Sequence, residues 1–353
     1  MNVYSFSFGI SLVALSVFCL AGSLELKAQG VSELERLRLE NRRLREDNQA
    51  LKEHLKTLQE ETVFSLWDEL ADLTEEDDGV YDYSGFGLAG ERLESDFERK
   101  VMGVVPSFQI PYNAVFEKYI DLYTISRKKQ MTSILGRYRK YLPRFRKTFA
   151  KYNIPEELVA LCIVESAVSR KALSRVGALG MWQLMPETAR QYGLVVNDVV
   201  DERMDVVLAT DVAARVLRDL KKSLGSWELA VLAYNCGSGN VRKAIIRSGG
   251  KTGVWDIYDH LPAETRAYLP SLVGAVYCER YHEEYKIPVK QYAPEQNETH
   301  ILKGDRTIAE IAKVADVRPE ALAEMNCQYL RGFVPAGMAV TVPKGYLARI
   351  KEL

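Results

Sequence analysis

The sequence has little histidine and no cluster of cysteine or histidine ligands. Its 353 residues include 4 histidines and 5 cysteines that are scattered along the chain, and no pair has the short spacing of a zinc site. Lys and Arg number 47 against 48 Asp and Glu, so the chain lacks the basic excess of proteins that neutralise nucleic-acid phosphates. We therefore expect chemistry based on carboxylates, hydroxyls and amides, with no metal or cofactor.

The first 29 residues have the pattern of an export signal. No charged side chain occurs from Asn2 to Leu24, and residues 8–20 are mostly apolar. Such a segment is typical of a secretory signal peptide. An uncleaved anchor is the alternative, because about 20 apolar residues can span a bilayer. We expect an exported protein of the periplasm or cell envelope, which is membrane-associated if the segment is retained.

Export bears on the state of the cysteines. An oxidising compartment permits disulfide bonds. Their apolar sequence contexts suit buried free thiols equally well. The sequence leaves both states open for Cys162, Cys236, Cys278 and Cys327.

Residues 31–62 carry a leucine heptad repeat, which predicts a coiled coil. Asn41 and Asn48 fall at a positions of this repeat, and a buried asparagine favours a parallel, in-register pair of helices. The positions flanking the apolar seam carry opposite charges. We predict a parallel homodimer through residues 33–59, with a single solvated amphipathic helix as the alternative. The repeat consists of Leu37, Leu44, Leu51 and Leu58.

An acidic, glycine-bearing stretch follows at residues 63–105 and has no clear periodicity, which predicts a flexible spacer. From 106 to about 290 the apolar pattern becomes helical. This part of the chain predicts a mainly α domain.

Glu165 is the most unusual carboxylate in this helical part. Helix-start residues at 153–157 precede the segment 158–164, which is apolar on every face. Burial at the end of such a helix would raise the pKa of Glu165 and favour the protonated acid that general acid catalysis needs. A structural hydrogen bond or an arginine partner would account for the same glutamate, and the segment alone does not choose between the two interpretations.

Further polar and aromatic residues occur beside apolar segments at three places. Trp182 precedes Gln183, Tyr234 precedes Asn235, and Tyr268 lies in a third apolar segment. We expect three apolar helices to end in clusters of amide, hydroxyl and aromatic groups, which must be satisfied by one another or by a polar ligand. The three aromatic rings are candidate surfaces for stacking sugar rings, and packing in the core is the alternative for each of them.

Together these motifs resemble the lytic transglycosylase family, in its membrane-bound murein transglycosylase D-like branch, over about residues 108–287. The resemblance implies a goose-lysozyme-like helical fold that cleaves the β-1,4 bond between N-acetylmuramic acid and N-acetylglucosamine in peptidoglycan. It further implies that Glu165 is the single catalytic acid and base, and that the product ends in 1,6-anhydro-N-acetylmuramic acid. The residues that would line the cleft are Ser174, Gln183, Met185, Tyr234, Asn235 and Tyr268.

Two alternatives accompany this resemblance. A hydrolytic muramidase would use the same fold, and a catalytically inactive scaffold would bind peptidoglycan without cleaving it. The partner expected in each case is a peptidoglycan glycan strand.

Residues 299–343 resemble one LysM repeat. The motifs include the stretch 300–305 and the stretch 335–343. The resemblance implies a small strand-helix-helix-strand unit that binds chains of N-acetylglucosamine. A small packing domain without a ligand is the alternative.

Overall fold

The chain was analysed in a computed structural model that describes residues 96–292 and 296–353. The predicted signal or anchor (1–29), the predicted coiled coil (31–62) and most of the predicted spacer lie outside these ranges. Within the described ranges, no helix has the length and apolarity needed to cross a membrane.

The first described part is built almost entirely from helices, which confirms the predicted mainly α class. Three short 3-10 turns and a π turn connect or extend the helices. The α-helices are α1 (Asp96–Gly103), α2 (Val115–Asp121), α3 (Lys128–Lys151), α4 (Leu161–Ser166), α5 (Pro186–Gln191), α6 (Val206–Leu224), α7 (Trp227–Cys236), α8 (Ser238–Arg247), α9 (Val254–Ile257) and α10 (Ala263–Tyr281).

Capping residues in the sequence fix the helices that carry the site. The Asp205 carboxylate accepts hydrogen bonds from the backbone N–H groups of Val207 and Leu208, at 2.8 and 2.9 Å, and so begins α6. Gly225 ends α6 with a φ of 93°, a value that favours glycine. The Ser226 hydroxyl then caps α7. These signals set where α7, the helix of Tyr234, starts.

The centre of this part is formed by α4 and α10. All six residues of α4 are buried, as is almost the whole run of α10 from Thr265 to Cys278. Helix α10 passes close to α2 at Gly274, where an added Cβ atom would lie 2.7 Å from the carbonyl oxygen of Tyr119. The burial of α4 on every face agrees with its uniformly apolar sequence.

The structure corrects the predicted end of the spacer at residue 105. Residues 96–103 form α1, and Val101, Val104 and Val105 are buried in the main core. The acidic composition of the preceding stretch obscured these few apolar side chains. The helical domain therefore begins before residue 106.

The C-terminal part forms a small module with its own apolar core. Strands β1 and β4 pair antiparallel, with Asn297 opposite Pro343, and the short strands β2 and β3 also pair. The predicted strand-helix-helix-strand order is present, with additional short elements. The elements are β1 (Asn297–Ile301), β2 (Arg306–Thr307), α11 (Ile308–Ala315), α12 (Pro319–Met325), β3 (Phe333–Val334), β4 (Ala339–Pro343) and α13 (Leu347–Ile350).

The module packs directly against the helical domain through the segment that precedes α6. Val200 is 2% exposed and belongs to the apolar core of the module. The backbone N–H of Asp201 donates to the carbonyl of Gln328 at 2.8 Å, and that of Leu330 donates to Val199 at 2.9 Å. From the other side, the Arg170 guanidinium donates to the carbonyl oxygens of Glu324 and Met325. Apolar burial and main-chain hydrogen bonds therefore fix the module in place.

The four cysteines within the described residues are free thiols. Cys162 and Cys278 are buried, and burial raises the pKa of both thiols. Of the two states that the sequence left open, the structure has the reduced one.

Candidate active site

Glu165 lies in the last turn of α4 and is 7% exposed. The helix ends immediately afterwards, because Ala167 and Val168 adopt positive φ values of 50° and 63°. The hydroxyl of Ser166 donates to the carbonyl of Met181 at 3.0 Å. This hydrogen bond joins the end of the glutamate helix to the segment that carries Gln183.

The surroundings of Glu165 favour its protonated form. Burial raises the pKa of Glu165 to about 8, the Tyr268 hydroxyl opposes this by donating a hydrogen bond to Oε1, and the charge of Glu264 raises the pKa further. Among the described residues, its side-chain partner is therefore a tyrosine hydroxyl and not an arginine. A carboxyl group that is protonated near neutral pH can serve as a general acid.

Tyr234 and Asn235 end α7 beside this carboxyl group. Burial and the charge of Glu165 together raise the pKa of Tyr234 well above its usual range. The Tyr234 hydroxyl donates to the carbonyl of Trp182 at 2.8 Å. The Asn235 side-chain oxygen accepts a hydrogen bond from the Thr265 hydroxyl at 2.7 Å. Both side chains are thus held by neighbouring elements.

The segment with Ser174, Gln183 and Met185 folds into a compact loop. Leu179 forms antiparallel bridges with both Leu173 and Leu184, which brings Ser174 and Met185 to the same part of the loop. The Ser174 hydroxyl accepts a hydrogen bond from the Ala178 N–H at 2.9 Å. The Met185 side chain is left partly exposed.

The Gln183 side chain stabilises the loop that carries it. Its amide nitrogen donates to the carbonyl oxygens of Ala172 and Gly180, each at 2.9 Å. Its backbone has a φ of 44°, which is uncommon for a residue other than glycine. No local pattern in the sequence predicts this strained turn.

A buried ion pair stabilises the same loop by hydrogen bonds to its carbonyl oxygens. The Arg203 guanidinium binds the Asp201 carboxylate at 2.7 Å and donates to the carbonyl oxygens of Gly177 and Leu184 at 2.7 and 3.0 Å. The side chains of Arg203 and Asp201 are only 6% and 7% exposed. Because the backbone of Asp201 also binds the C-terminal module, this pair links the module to the loop.

Two of the three predicted stacking surfaces are not accessible. Trp182 is fully buried between Phe145 and Phe149, each with its ring centroid 5.3 Å away, and its indole N–H donates to Thr210. Tyr268 is also fully buried. Trp182 and Tyr268 therefore follow the alternative interpretation, in which the ring fills the core, whereas Tyr234 is partly exposed.

The third apolar helix also differs from its prediction. Tyr268 lies near the start of α10, which continues to Tyr281, and not at the end of a helix. The structure thus combines the ends of α4 and α7 with the beginning of α10. The carboxyl group accepts a hydrogen bond from the Tyr268 hydroxyl of α10, an element distant in the chain.

Sequence reasoning missed two residues of this site. Glu264 lies one helical turn before Tyr268, and its charge influences Glu165. Thr265 is buried and holds Asn235. Both come shortly before Tyr268 in the sequence, and the spacing of four residues between Glu264 and Tyr268 could have indicated that they share one helix face.

Part of this site lies in a region that is similar to a known domain family. Residues 144–254 match the model of the transglycosylase SLT domain. Membrane-bound lytic murein transglycosylase D of Escherichia coli (strain K12) is 33% identical over 210 residues, which are 57% of this chain and 46% of that protein. A putative tributyltin chloride resistance protein of Alteromonas sp. (strain M-1) is 35% identical over 96 residues, 27% of this chain and 46% of that protein. The chain therefore spans about half the length of these relatives.

Solved structures give a weaker likeness. The 70 kDa soluble lytic transglycosylase of Escherichia coli is 25% identical with a TM-score of 0.34, over 42% of this chain and 25% of that chain. An inactive mutant of the lytic transglycosylase Slt of Pseudomonas aeruginosa is 23% identical, also with a TM-score of 0.34, over 43% of this chain and 25% of that chain.

Proposed function

We propose that this chain, whose residues 144–254 match the model of the transglycosylase SLT domain, is a lytic murein transglycosylase that cleaves peptidoglycan between N-acetylmuramic acid and N-acetylglucosamine. The observation that carries the proposal is the state of Glu165, a buried carboxyl group whose pKa is raised to about 8. At neutral pH this group holds the proton that the leaving sugar oxygen requires.

One carboxyl group can perform both proton transfers of this reaction. Glu165 protonates the glycosidic oxygen as the bond from C1 breaks, and the N-acetyl group of the substrate stabilises the positive charge that develops at C1. The resulting carboxylate then removes the proton from the C6 hydroxyl while O6 bonds to C1. Glu165 regains its proton, no water is consumed, and the product ends in a 1,6-anhydro ring.

Glu264 is the reason to keep a hydrolytic muramidase as the second candidate. Most glycosidases use two carboxyl groups that flank the bond, and the charge of Glu264 acts on Glu165. In a muramidase, Glu264 would assist the attack of a water molecule.

Product mass separates the two candidates. We expect purified protein to release fragments from peptidoglycan that end in anhydro sugar, lighter by one water than hydrolysed fragments. Mass spectrometry of the soluble products measures this directly. Fragments with a reducing end would instead support the muramidase, and an absence of soluble fragments would support the inactive scaffold.

Replacing Tyr268 with phenylalanine should change the pH dependence of the reaction. Because the Tyr268 hydroxyl lowers the pKa of Glu165, its removal raises that pKa. The general acid must be protonated, so activity falls as the pH rises through the pKa of Glu165. The alkaline limb of kcat/KM against pH, expected near pH 8 in the wild type, should therefore move to higher pH in Tyr268→Phe.

Tyr234→Phe is the matched control for this experiment. Its hydroxyl donates to the Trp182 carbonyl and not to Glu165, so the variant should keep the wild-type position of the alkaline limb. An unchanged limb in Tyr268→Phe would show that Glu165 is not the group that titrates in the reaction.

The remaining parts of the chain suit an enzyme of the cell envelope. We propose that the domain extends to about residue 290 and that residues 299–343 form a LysM module, which the strand-helix-helix-strand order supports. The parallel coiled coil at 33–59 and the export signal or membrane anchor at 1–29 stay predictions from sequence. The name of the relative in Escherichia coli as membrane-bound supports a location in the envelope.

A further inference from the structure

A surface cavity of about 320 Å³ lies beside the proposed cleft. Helix α8 forms one wall, with Asn240, Lys243 and Arg247. The turn that leads into α10 forms the other wall and includes Asp259 and His260. None of these side chains has a role in the proton transfers proposed above.

Both walls continue the elements that hold Asn235. Helix α8 begins at Ser238, directly after α7, and the Asn240 amide donates to the carbonyl of Cys236 at 2.9 Å. The opposite wall runs into α10, whose Thr265 binds Asn235. The cavity is therefore a neighbour of the cleft.

The cavity carries an excess of positive charge. Lys243 and Arg247 are four residues apart and so lie on one face of α8, which contains no acidic residue. Within residues 96–292 and 296–353, neither cation forms an ion pair or hydrogen bond with another side chain. Asp259 is the one acidic residue of the two walls, so the basic residues Lys243 and Arg247 outnumber it.

We propose that this cavity binds a carboxylate of the peptide stem carried by the glycan strand. The proposal rests on the proposed function, because a peptidoglycan strand supplies both the sugar bond and the attached peptide. The sugars of such a strand are uncharged when the stem is attached, so its anions are the carboxylates of the peptide. Lys243 and Arg247 have no side-chain partner in the part of the chain that the structure describes, and such a carboxylate is complementary to them.

The test compares a double variant that removes both positive charges with a control variant on the same helix. In the double variant, Lys243→Ala is combined with Arg247→Ala. The control is Arg242→Ala, since the Arg242 guanidinium is bound to Ser223 instead of facing the cavity. Each protein is assayed on uncrosslinked glycan strands with their peptide stems and on the same strands after an amidase has removed the stems.

We expect the double variant to raise KM for stem-bearing strands about fivefold to tenfold, the range for two solvent-exposed ionic contacts. Its kcat should stay within about twofold of the wild type, because Glu165 and its neighbours are unchanged. On stripped strands the double variant and the wild type should have equal KM values. Salt at about 0.5 M should remove the difference on stem-bearing strands.

Three results would overturn the proposal. The first is an equal loss on stemmed and stripped strands, because the carboxylate that the amidase exposes on the lactyl group of the sugar would then bind the cavity as well as the stem does. The second is no change in KM for the double variant, and the third is an equal change in Arg242→Ala. If the wild type released no anhydro product from either substrate, the proposed function itself would fail, which is a separate outcome.

Discussion

Replacing Glu165 with glutamine should lower the release of soluble fragments from peptidoglycan by about a thousandfold or more, because one general acid and base contributes about 10²–10⁴ and here serves both steps. Glutamine has nearly the shape of the protonated glutamate and can still accept the hydrogen bond from Tyr268. It has no proton of suitable acidity to give to the leaving oxygen. Fragment release from purified sacculi measures the loss, and pull-down with sacculi measures binding, which should not change.

The control for this variant is Glu264→Gln. In a lytic transglycosylase the charge of Glu264 only adjusts the pKa of Glu165, so the activity of Glu264→Gln should stay within about tenfold of the wild type. A muramidase that used Glu264 for water attack would lose about as much activity as with Glu165→Gln. If Glu165→Gln kept more than about a tenth of the wild-type rate, the assignment of the acid would be wrong.

Replacing Arg203 with alanine should reduce the free energy of unfolding by about 3–5 kcal/mol, because it leaves a buried carboxylate without its partner. Asp201 is only 7% exposed and depends on Arg203 for its charge pairing. The carbonyl oxygens of Gly177 and Leu184 would lose their donor as well. Urea unfolding monitored by circular dichroism measures the change.

Arg331→Ala is the matched control for the buried pair. Arg331 of the C-terminal module pairs with Asp198 of the segment that precedes α6, but both side chains are more than half exposed. Such a surface pair contributes about 0–1 kcal/mol. Equal losses in Arg203→Ala and Arg331→Ala would show that the buried pair does not hold the loop of Gln183.

The predictable parts of this protein are those that local sequence encodes. The uniformly apolar run before Glu165 predicted a buried helix, and the structure has that helix. The two consecutive helices between an outer pair of strands after residue 296 were also predicted, whereas the short strands β2 and β3 and the helix α13 were not. The sequence was misleading where composition changes gradually, since the acidic stretch before α1 hid the buried valines at 101, 104 and 105.

Contacts between distant residues could not be predicted in the same way. Tyr268 was expected to line the cleft, but its donation to Glu165 joins residues 103 positions apart. Trp182, beside Gln183, was a candidate surface for stacking a sugar ring, yet its ring lies between two phenylalanines of α3. An aromatic residue has the same local pattern whether it packs in a core or faces a ligand, so only packing distinguishes the two.

By itself, the sequence determined the helical class, the identity of the one unusual carboxylate and the motifs around it, because periodicity, caps and motif spacing are properties of neighbouring residues. The tertiary structure decided the proton affinity of that carboxylate. Burial between α4, α7 and α10 raises the pKa of Glu165, while a hydroxyl group and a carboxylate from α10 adjust it. The tertiary structure also decided that the C-terminal module is fixed to the helical domain. Val200 is buried in the core of the module, and the backbone N–H of Asp201 donates to a carbonyl group of the module. Desolvation and long-range hydrogen bonds arise only when distant segments meet, so local sequence patterns do not encode them.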